Sequence, residues 1–122
     1  MVRTHAAVLS LYFLLCTPVY AEPLIIGGDK IGDACPSLAM VKAKKYIFLR
    51  TSPFLSAPPV GKLGAGSHVY ICTEKNGWIG VVAIDGNGAA CGVSSPILKK
   101  TIYKGPCRSG WIETRQIVLL AG

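Results

Sequence analysis

The stretch SHVYICTEKNGWIGVVAI, residues 67–84, carries the clearest structural signal in the chain. Val69 and Ile71 alternate with Tyr70 and Cys72, the period of two that fits a half-buried strand. Asn76-Gly77 follows, a pair that accepts positive φ at both central positions of a tight primed turn. WIGVVAI then runs back as the partner strand. Upstream, Tyr46-Ile47-Phe48-Leu49 also reads as strand. Between these lies TSPFLSAPPVGKLGAGS (51–67), so rich in Pro and Gly that it is expected to lack regular structure. Ser37 is placed to cap a short helical turn. Downstream, Asp85-Gly86-Asn87-Gly88 forms another turn set. Gly110-Trp111-Ile112 opens the last ordered stretch, and QIVLL (116–120) closes it. Short strands divided by frequent turns predict an all-β domain.

The chain has 122 residues and a formal net charge of +7. Arg3 followed by an apolar run from Ala6 to Leu15 reads as an export leader, too short to span a bilayer. Small or compact residues at Val19 and Ala21 place cleavage after Ala21, so residues 1–21 are expected to be removed. Losing Arg3 lowers the charge to +6. A basic domain of this kind suits an anionic surface or wall polymer. Export argues against nucleic acid. No later segment reads as transmembrane, and the expected product is a periplasmic or secreted monomer.

Four cysteines follow the leader: Cys35, Cys72, Cys91 and Cys107. An even number in a small exported domain implies two disulfides. Three pairings are open. Cys91–Cys107 is favoured because it brackets a self-contained loop, which leaves Cys35–Cys72. A closed loop of about 15 residues contributes roughly 3 kcal/mol by the chain-entropy model.

The order of Leu49-Arg50, Ser52-Pro53, Val60 with Leu63, Gly66, Val69 with Ile71, Asn76-Gly77-Trp78 and Val81 resembles the bacterial SH3 domain, SH3b. Gly110-Trp111-Ile112 and Ile117 match that family's ending. The resemblance implies a small SH3-like barrel of about five strands over residues 47–122. Residues 83–108 form a disulfide-closed insertion, and residues 22–46 form an N-terminal segment tethered by Cys35. It also implies a cell-wall peptide or glycan, or an envelope protein, as partner. Proline-peptide recognition does not carry over: Glu113 and Gln116 stand where that face needs Pro and Tyr, and TSPFLSAPP has no acidic residue.

No catalytic group is expected. After the leader, His68 is the sole histidine, and its neighbour Ser67 points to the opposite face of a strand. The cysteines lack the close pairing of structural zinc sites, so neither metal nor cofactor is expected. The candidate ligand-binding residues are instead Trp78, Trp111 and Tyr103, with the cations Lys99, Lys100, Lys104 and Arg108 in or beside the stapled loop. If Ile79, Val81 and Ile112 face the core, both indoles face outward. The expected function is a non-enzymatic binding module of the bacterial envelope. The rival is an inhibitor or immunity-type protein that plugs an enzyme cleft with its stapled loop.

Overall fold

A computed structural model describes residues 21–122. The expected leader, apart from Ala21, lies outside the described residues. The chain is all-β. Its strands are β1 (Ile25–Ile26), β2 (Ser37–Val41), β3 (Tyr46–Arg50), β4 (Pro59–Gly64), β5 (His68–Lys75), β6 (Trp78–Ala83), β7 (Thr101–Ile102), β8 (Ser109–Glu113) and β9 (Ile117–Ala121). Seven of them form one antiparallel sheet in the order β4-β3-β8-β6-β5-β2-β9, and β1 pairs with β7 in a small ribbon.

The β5–β6 hairpin forms as expected. Asn76 and Gly77 both take positive φ, 50° and 82°, and Lys75 faces Trp78 across the turn. The strand count corrects the expectation of about five. Four strands arise where none was expected, β1 and β7 in the ribbon and two in the main sheet. PVGKLG pairs with β3 along its length. Pro59 is tolerated because it opens an edge strand, where its missing N–H costs no ladder bond. Ser37 caps no helix; it begins β2, which lies between β5 and β9. The N-terminal segment is therefore part of the main sheet as well as tethered to it.

The sheet wraps around its own inner face. Val41 of β2, Leu49 of β3, Leu63 of β4, Val69 of β5, Val81 of β6 and Ile112 of β8 share one core, with Ile117 of β9 packed against it. Residues from both ends of the strand order thus meet, which requires strong curl. Each such aliphatic contributes roughly 1.5–3 kcal/mol on burial.

The opposite face of β5 and β6 is covered too, so Val82 is as deeply buried as Val81. Leu24, Ile26, Cys35, Cys91 and Val93 form a second core over it, joined by Tyr70, Ile97 and Tyr103. The Cys35–Cys72 and Cys91–Cys107 disulfides, paired as expected, lie within this outer layer. Cys72 sits where the β5–β6 register shifts, between Ile71 and Thr73. Backbone bonds lace the layer together: Gly28 N–H donates to Ile97 O, Ala34 N–H to Ser95 O, Cys35 N–H to Val93 O and Tyr103 N–H to Leu24 O.

Candidate functional site

The structure scatters the residues that the sequence nominated. Trp111 does lie on the face opposite Ile112, but that face is not open. Trp111 is only 3% exposed, and its Nε1–H donates to Glu22 O at 2.9 Å. The N-terminal segment covers it, so it is withdrawn as a ligand-stacking residue. Tyr103, the third nominated ring, is engaged as well. The Tyr103 hydroxyl donates to Cys91 O at 2.8 Å and accepts from Cys107 N–H, which fixes the ring inside the stapled loop. Trp78 is half-buried at the start of β6.

Arg108 is likewise engaged. Its Nε and Nη2 donate to the two oxygens of Asp85 at 2.9 and 2.8 Å, and its Nη1 donates to Lys62 O at 3.0 Å. The guanidinium holds the Asp85 carboxyl below its ordinary range, mainly through these hydrogen bonds and against a smaller effect of burial. Arg108 is therefore a latch between the turn after β6 and the edge strand β4. Lys99, Lys100 and Lys104 are exposed, but none of the nominated aromatic rings joins them as an open surface.

A different surface combines rings and charge. Along β3, Ile47 and Leu49 point into the core, so Tyr46, Phe48 and Arg50 take the outer face. Lys62 lies directly opposite Phe48 on β4. The Tyr46 and Phe48 rings meet edge to face, 5.5 Å between centroids. Lys62 Nζ lies 4.3 Å from the Tyr46 centroid, and the Arg50 guanidinium carbon lies 5.4 Å from that of Phe48. Both rings remain open to solvent, 44% and 37% exposed. Arg50 Nη1 donates to Ala57 O at 2.9 Å, which ties this face to the loop bearing exposed Phe54 and Leu55. Ring stacking and charge pairing are thus available side by side, the combination suited to an anionic ligand with flat apolar faces.

In the sequence alone Tyr46 and Phe48 read only as strand residues. The alternation with Ile47 and Leu49 already placed both rings on one face; the missing signal was β4, which delivers Lys62.

The chemistry of other side chains is sparse. His68 is exposed at the start of β5. Asp85 pairs with Arg108 and Glu113 with Arg115. Among the described residues, no group of three His, Cys, Asp or Glu side chains is placed to hold a metal ion, and no helix is long and apolar enough to cross a membrane. An open hollow of about 170 Å³ lies beside Trp111, lined by Glu22, Thr73 and Lys75 among others. It is smaller than typical small-molecule pockets of roughly 300–1,000 Å³.

Comparison with protein-family models, curated proteins and solved structures finds no match to this chain. The functional reading therefore rests on its own residues.

Proposed function

We propose that this chain is an exported, non-catalytic binding module of the bacterial envelope. In this reading it has an SH3b-like barrel and engages anionic cell-wall peptide or glycan through the outer face of β3 and β4. The observation that carries the proposal is the exposed pair Tyr46 and Phe48 with Lys62 and Arg50 stacked on them. Rings of this kind pack against sugar or peptide planes, and the cations attract carboxylates. The net positive charge adds long-range attraction to an anionic polymer. Two disulfides suit an oxidising exported compartment.

The same geometry speaks against the inhibitor reading. The stapled loop is bonded to the N-terminal segment, Cys35 N–H donating to Val93 O and Tyr103 N–H to Leu24 O. A loop pinned along its length is poorly suited to enter a cleft.

Sedimentation with insoluble peptidoglycan at low salt tests the proposal. The mature protein is expected in the pellet and is released as salt rises. Tyr46→Ala and Phe48→Ala should each weaken retention about tenfold, the equivalent of roughly 1.4 kcal/mol, while Lys99→Ala should change it little. A protein that stays in the supernatant at low salt, or that binds equally well without either ring, sinks this reading.

A further inference from the structure

The N-terminal segment crosses the outer face of the sheet and is held most closely at Glu22. Glu22 N lies 3.0 Å from Thr51 O and 2.9 Å from Ser52 Oγ. Ser52, at 2% exposure, is the one buried polar side chain among the described residues. Glu22 O accepts the Trp111 indole proton, and Glu22 Oε1 lies 2.8 Å from Lys75 Nζ. Leu24 and Ile26 are buried just beyond. Ala21, one residue earlier, is exposed.

Two acceptors therefore converge on one nitrogen. A peptide nitrogen has a single hydrogen and must share it between them. An ammonium has three hydrogens and can satisfy both acceptors, with charge-assisted bonds that are roughly twice as strong as neutral ones. We propose that Ala21–Glu22 is the processing bond, and that the ammonium released there is a structural group seated between Thr51 O and Ser52 Oγ. An endopeptidase of the signal-peptidase class catalyses the cut. Water adds to the Ala21 carbonyl and the C–N bond breaks. Ala21 departs with the leader as a carboxylate, and the protons pass to the Glu22 amine. The freed end then clamps the segment over Trp111 and seals the outer core. This inference rests on the export part of the proposed function and is independent of the ligand face.

The test uses the full precursor in an exporting host. Intact mass and N-terminal sequencing of the exported protein should give Glu22 as the first residue. A second precursor carries Gly-Ser inserted between Ala21 and Glu22, so that the processed chain keeps an amide at Glu22 N. Its thermal midpoint should fall by about 5 °C, the order expected for one charge-assisted bond in a domain of this size. In a Ser52→Ala background the same insertion should cost clearly less. Equal midpoints with and without the insertion overturn the ammonium socket, and export with a different first residue overturns the processing site. A protein that keeps Met1 overturns the export reading along with this one. A Glu22 start with no wall retention leaves the socket standing and removes only the ligand assignment.

Discussion

The two faces of the β5–β6 hairpin are buried by different means. On the inner face Val69, Ile71, Ile79 and Val81 meet aliphatics from the rest of the same sheet, and the curl of the sheet supplies the cover. On the outer face Tyr70, Cys72 and Val82 are covered by segments with almost no regular structure: the N-terminal strap and the loop from Asp85 to Arg108. Apolar area alone holds the first. The second adds two disulfides, because short irregular segments bury too little surface to offset the entropy of ordering them. A curled sheet supplies its own cover, whereas a layer of loops needs covalent help.

Removing the bridges should break this contrast most strongly. Cys35→Ala with Cys72→Ala is expected to cost about 2–5 kcal/mol. The Cys91–Cys107 pair should cost somewhat less, because it closes 16 residues where the other closes 37. Hydrogen exchange would sharpen the comparison. With both bridges reduced, the amides of Gly28, Ala34, Cys35 and Tyr103 should lose protection first, while those in the β5–β6 ladder keep theirs. Simultaneous loss from both faces would mean that the two layers form one cooperative unit.

A smaller effect is expected at Gly80, which faces Trp111 across β6 and β8. A Cβ there would run into Leu24 Cδ1 and come within 2.7 Å of Thr73 Cγ2. Gly80→Ala should therefore lift the N-terminal strap and cost about 1–3 kcal/mol by overpacking. Trp111 fluorescence should then report a more polar setting. Unchanged stability and emission would mean that the strap gives way freely and that Trp111 needs no cover.

The same contrast explains what the sequence made legible. The inner face could be read because alternation is local: Val69-x-Ile71 and Ile79-x-Val81 sit either side of Asn76-Gly77. The disulfides followed from cysteine number and the expected compartment. β2 was hidden because Ala39 and Met40 carry weak strand preference. β4 was hidden because Pro58, Pro59, Gly61 and Gly64 read as loop. The outer face was harder still. Alternation correctly sent Trp111 to the side opposite Ile112, but no pattern in the chain announces that residues 22–24 will lie over it. The ring–cation surface on β3 and β4 needed a register, Phe48 opposite Lys62, that local pattern does not contain.

The smallest effect concerns the latch between the layers, Arg108 with Asp85. The Asp85 carboxyl is held below its ordinary value, about 3.9. A group with a lowered folded pKa stabilises the fold above its ordinary value, and that contribution fades as pH falls through the folded value. The Asp85 contribution should thus be complete at neutral pH and decline below about pH 4. Both partners are well exposed, 37% for Arg108 and 50% for Asp85, so solvent screening limits the pair to less than about 1 kcal/mol. Asp85→Asn should lower the unfolding midpoint slightly at pH 7, and the two proteins should converge toward pH 3. The bond from Arg108 Nη1 to Lys62 O does not involve Asp85, so the latch is expected to loosen without letting go. If the midpoints stay apart at pH 3, Asp85 acts through the shape of its turn and not through its charge.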